Sequence, residues 1–74
     1  MKPYQERVVN EKIELEVKFK ALKDFANGDA FEKLPPQEQA RLHLQGYLME
    51  GYIEVLDARI DAFDEIEKAE GEHE

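Results

Sequence analysis

Apolar residues recur along this chain at intervals of three and four, the period of an α-helix, and nowhere alternate with period two, so no strand is predicted. From Pro3 to Phe25 no Gly or Pro interrupts the pattern, and Pro3 suits the first turn of a helix. Asn27-Gly28-Asp29 ends that segment, with Gly28 expected in the left-handed conformation after the helix. Phe31 and Leu34 fall in the connection and are expected to plug the open end of the core. Pro35-Pro36 starts a second helix, and Gln37 and Glu38 stand in a first turn that favours acidic residues. The pattern therefore predicts an all-α fold, a two-helix antiparallel hairpin occupying residues 1–67. Its helices span about 3–26 and about 36–67 around a connection at 27–35, and residues 68–74 are expected to form an acidic, frayed tail.

At 100° per residue each helix carries two apolar stripes rather than one. In the first helix Val8, Leu15, Phe19, Leu22 and Ala26 form one stripe, with Tyr4 at its start, and Val9, Ile13, Val17 and Ala21 drift around a second face. The second helix repeats the arrangement. Leu42, Met49, Ile53, Leu56, Ile60 and Phe63 make one stripe; Leu44, Leu48, Val55 and Ile66 make the other. A hairpin uses one stripe per helix, so the second pair predicts another partner, and a further copy of the same chain is the economical choice. Gly46, near the first stripe, and Gly51, on the far side, each cost about 1 kcal/mol relative to Ala inside a helix. Close helix approach in an assembly explains them, as does simple tolerance in a long helix.

Composition sharpens this picture at three points. The 74 residues hold 18 acidic and 10 basic side chains, a formal charge of −8, which disfavours a protein whose whole surface grips DNA or RNA. Six acidic residues against one lysine lie from Asp64 onward, so the hairpin itself is close to balanced. Cysteine is absent, which removes disulfides, thiolate metal sites and Cys nucleophiles and allows a cytoplasmic setting. No apolar run approaches the roughly 18 residues of a membrane span.

Candidate chemistry is sparse. Phosphate loops, nucleophile elbows and His-Glu-x-x-His are missing, so no enzyme activity and no cofactor are expected. The histidines are His43 and His73, the latter in the tail; a metal at His43 would need carboxylates from other chains, and none is expected. Carboxylate pairs such as Glu50/Glu54 and Asp57/Asp61 read as solvated helix faces. Cations beside apolar stripes are more informative. Lys12 projects about 40° from Val8, and Arg59 lies between Leu48, Val55 and Ile66, with Arg41 farther along the same side. A cation at an interface is paired either by Glu11, Glu50 or Asp57 or by an anionic ligand. Tyr4, one turn before Val8, either caps the core or stacks on a base.

These residues carry a resemblance. Tyr4-Gln5-Glu6-Arg7-Val8-Val9-Asn10-Glu11-Lys12 with Glu14-Leu15 resembles the opening of a short helical-hairpin family of phage genomes. So does the second half: Leu34-Pro35-Pro36-Gln37-Glu38, Arg41-Leu42, Gln45, Leu48-Met49, Tyr52, and Leu56-x-x-Arg59-Ile60. The hairpin is similar to that of the anti-CBASS and anti-Thoeris sponges, over roughly residues 3–63. Anti-CBASS sponges carry an arm ahead of the hairpin and anti-Thoeris sponges a further ligand-binding domain, so the expectation for this chain is the bare assembly module.

The resemblance implies a homo-oligomer, typically a hexamer, that binds cyclic di- or trinucleotide immune messengers and withholds them without cleavage. It places this chain in the bacterial cytoplasm during infection. By position, Lys12 matches a phosphate-binding lysine, Arg59 an arginine that helps hold cyclic trinucleotides, and Tyr4 a base-stacking aromatic. Two rivals stand beside it: an acidic module that blocks a basic protein partner, and a purely structural oligomeric phage hairpin.

Overall fold

The computed structural model describes the backbone of residues 1–72 and the side chains of residues 1–69. The four helices are α1 (Pro3–Ala26), α2 (Asp29–Glu32), α3 (Pro36–Asp61) and α4 (Phe63–Glu72). The long helices α1 and α3 pack antiparallel as a hairpin. The result is a rod of 59 × 17 × 13 Å.

Each helix end has a local cause. Pro3 opens α1 after Lys2 in extended geometry, and the Lys2 backbone N–H donates to Gln5 Oε1 at 2.9 Å, the reach-back half of a capping box. At the far end the Asn27 N–H donates to the Lys23 carbonyl at 3.1 Å and the Gly28 N–H to the Phe25 carbonyl at 3.0 Å. Gly28 itself is extended, with φ −99° and ψ 168°, and is the N-cap of α2. The left-handed Gly28 predicted above is thus corrected. The chain does not reverse there; it steps into another helical turn, for which no positive φ is required. That turn inserts Phe31, which is buried, with its ring edge-on to Phe25 (6.1 Å) and to His43 (5.0 Å). Gln39 then ties the connection to α3, its Nε2 donating to the carbonyls of Leu34 (2.9 Å) and Glu32 (3.4 Å).

The second helix is not continuous through residue 67. It stops at Asp61, and Ala62 forms a tightened turn whose N–H is shared between the carbonyls of Ala58 (3.1 Å) and Arg59 (3.2 Å). From there α4 continues through Glu72, so the expected fray from residue 68 gives way to helix; His73 and Glu74 lie outside the described residues. The turn sets Phe63 into the core and carries Glu67 to Gln5.

The hairpin seam uses the first stripe of each helix. Val8, Leu56 and Phe63 are buried, with Tyr4, Leu15 and Ile60 packed around them, and Leu56 has no exposure at all. Val9 joins this cluster from the edge of the second stripe. The remainder of the second stripes faces water: Ile13, Val17, Leu44, Leu48, Val55 and Ile66 are exposed, Val17 and Leu48 each to 66%.

Leu56→Ala is expected to lower stability by about 2–5 kcal/mol, enough to unfold a domain of this size, because it opens a cavity in the seam. At chain concentrations where single copies prevail, Leu48→Ala should change the unfolding free energy read from urea titration by less than about 0.5 kcal/mol. Gly51→Ala should raise stability by about 1 kcal/mol, since an added Cβ meets nothing within 4 Å.

Candidate functional site

The α1–α3 seam positions Lys12. The side chain leaves the stripe edge and forms an ion pair with Asp57 of α3, Lys12 keeping 26% and Asp57 49% of its side-chain exposure. The hydrogen bond to Asp57 raises the Lys12 pKa above its usual value near 10.5; partial desolvation opposes this, and the fields of Asp57, Glu16 and Asp61 reinforce it. Of the pairings open in the sequence, the single chain adopts the structural one through Asp57.

Arg59 is the opposite case. It is exposed on α3, on the side that carries Leu48, Val55 and Ile66, and it forms no ion pair with another described residue. Arg41, farther along the same side, is held by Glu38, with Nε to Oε1 at 2.9 Å. That pair spans one turn at the surface and contributes only a few tenths of a kcal/mol.

Tyr4 is half-buried. Its ring meets Phe63 edge-on at 5.8 Å, and its hydroxyl is buried without a hydrogen-bond partner among the described residues. Tyr4 and Lys12 stand eight residues apart on α1, about 12 Å along its axis. No contact among the described residues joins Tyr4, Lys12 and Arg59, so one chain does not gather them into a single pocket.

Sequence reasoning missed Gln5. It is 4% exposed, and its Nε2 donates to Glu67 Oε1 at 2.7 Å while its Oε1 accepts the Lys2 N–H. The available signal was its place at the third helical position after Lys2-Pro3, where a glutamine reaches back to the cap. The structure also opens two grooves. One, of about 310 Å³, has Leu22, Leu42 and Gly46 in its lining together with Lys23, His43 and Tyr47. The Lys23 ammonium lies 5.2 Å from the centre of the Phe19 ring on the same groove. A Cβ at Gly46 would meet Leu22 Cδ2 at 3.7 Å, an ordinary contact, so close approach of α1 does not require that glycine. The other groove, about 300 Å³, is lined by Arg41, Leu44, Leu48 and Tyr52 along the exposed side of α3.

Among the described residues no three His, Asp or Glu side chains gather for a metal ion, and no helix is long and apolar enough to cross a membrane. The family model described as Sequestin matches residues 2–62. The chain belongs to the Sequestin family. That is a sequestering family rather than a catalytic one, which gives this Sequestin hairpin a binding role. No curated protein and no solved structure shows significant similarity to it.

The raised pKa of Lys12 has a definite sign. The ion pair stabilises the folded Sequestin hairpin fully below the unfolded lysine pKa of about 10.4 and ceases to do so as pH rises through the higher folded value. Lys12→Met should therefore show a stability deficit that is constant from about pH 7 to 9 and closes above about pH 10.5. Urea unfolding across that range checks it; a deficit that persists unchanged at alkaline pH would mean that packing, not charge, makes the difference.

Proposed function

We propose that this Sequestin-family protein is a phage anti-defence sponge. In this reading it assembles into a symmetric homo-oligomer in the host cytoplasm, where it binds cyclic oligonucleotide immune messengers and keeps them from their effectors without cleaving them. The observation that carries the reading is Arg59, a cation without a carboxylate partner among the described residues, set among exposed apolar side chains. Covering Val55 and Ile66 with a second copy would bring the guanidinium out of water, and a desolvated charge needs a counter-charge. A phosphodiester supplies one and matches the planar fork of arginine.

Symmetry supplies the rest. A cyclic dinucleotide carries two negative charges and a trinucleotide three, so a two-fold or three-fold axis would present matching numbers of Arg59 or Lys12 side chains to the ring. Lys12 would exchange or share Asp57 for a phosphate. Tyr4 would contribute stacking, worth about 1–3 kcal/mol per base and tolerant of base identity. Such a protein works by affinity and copy number, which agrees with a family defined by sequestration.

Native mass spectrometry with a panel of cyclic di- and trinucleotides tests this directly. The expected result is a symmetric oligomer, a hexamer by resemblance, holding whole-number ligand counts. Arg59→Ala and Lys12→Ala should each weaken retention by roughly 10- to 100-fold, the size of a lost charge-assisted hydrogen bond. An oligomer that retains no nucleotide but binds a basic protein in a salt-sensitive way would instead favour the acidic blocking module.

A further inference from the structure

The geometry points to α4 as a releasable latch that covers Tyr4 and keeps it from a ligand until the helix swings away; the ligand part of this inference rests on the stacking role proposed for Tyr4 above. The latch is a separable piece of the fold. The Sequestin match ends at residue 62, and the helix breaks at Ala62, so α4 begins where that match ends. Ten residues are too few to be a stable helix in water by themselves, which makes α4 depend on what it docks against. Among the described side chains, two carry its docking. Phe63 is buried in the core and meets the Tyr4 ring edge-on, and Glu67 accepts a hydrogen bond from buried Gln5 at 2.7 Å. The other described side chains of α4, Asp64 through Ala69, are exposed.

The closed position also carries a penalty that opening relieves. The Tyr4 hydroxyl is buried without a hydrogen-bond partner among the described residues, and an unsatisfied buried hydroxyl is unfavourable. Release of α4 hydrates that group and uncovers the ring. The Gln5–Glu67 hydrogen bond opposes release, so it sets the closed population. Acidic Asp64, Glu65 and Glu67 leave with the latch, which lowers the negative potential around Tyr4 for an approaching anion.

Full-length protein carrying 3-fluorotyrosine reports on this through the fluorine resonance of Tyr4, assigned with single Tyr→Phe substitutions. Glu67→Ala is expected to raise the solvent-exposed population of Tyr4 roughly three- to tenfold, the effect of one hydrogen bond, and Glu65→Ala, which removes the same charge, to leave it unchanged. Phe63→Ala should open it further, with circular dichroism checking that the hairpin persists. A Tyr4 resonance that stays put in Glu67→Ala and in folded Phe63→Ala overturns the latch. The affinity for the cyclic nucleotide retained from the panel should rise in Glu67→Ala by the same factor as the open population. If Tyr4 opens while that affinity is unchanged, or while nothing from the panel binds, the latch stands and the stacking role of Tyr4 falls.

Discussion

Two helices share one seam, and that limit governs this molecule. Each of α1 and α3 can bury only the strip that faces the other, so Leu56 and Val8 vanish from solvent while Leu48 and Val17, equally apolar, remain in it. Nothing in the single chain could cover both sets, because a 59 × 17 × 13 Å rod has no third layer. The short elements at the two ends respond to the same limit. At one end α2 inserts Phe31 between Phe25 and His43; at the other, α4 supplies Phe63 to Tyr4 and Val8. That outer face is the apolar surface a second layer would cover. There the arginines stand among apolar neighbours, Arg41 already neutralised by Glu38 and Arg59 not.

Helical period and punctuation made most of the fold legible. The spacing of Val8, Leu15, Phe19 and Leu22 against Leu42, Met49, Leu56 and Phe63 identifies two stripes that the structure buries wholly or partly, and Pro3 and Pro36 mark two helix starts. What escaped has no local signature. Ala62 is a good helix former, and the break there comes from the partners that Phe63 and Glu67 reach on α1. Gly28 misled for a related reason: a glycine after a helix suggests reversal, yet here it caps a further turn whose purpose is to place Phe31. The site was legible only as residue types. That Lys12 would choose Asp57 over Glu11 or Glu50 depends on the register of α3 against α1, which no short-range pattern encodes.

Charge has to be read by place. The formal −8 would repel an anionic ligand if it were spread evenly, but the acidic excess gathers from Asp64 onward, on the piece that begins beyond Ala62. Screening at physiological salt confines such fields to about 8 Å, so Arg59 and Lys12 experience mainly their own surroundings. For Lys12 these are Asp57, first through its hydrogen bond, with Glu16 and Asp61, which together raise its pKa above the usual lysine value. In the proposed sponge Lys12 would have to loosen its Asp57 partner before taking a phosphate, and that trade would favour ligands presenting more than one phosphate at once.

The clasp of Gln39 on the carbonyls of Leu34 and Glu32 has a kinetic consequence. It fixes the corner from residues close in sequence, and with a short connection the two long helices meet after a small loss of chain entropy. Helical folds of such low contact order form in microseconds to milliseconds. In the assembly proposed above, meeting another copy is the slower, second-order step, its half-time falling as copies accumulate. For the sponge proposed above, which withholds its ligand without turnover, the rate of synthesis would then govern how soon the sink fills.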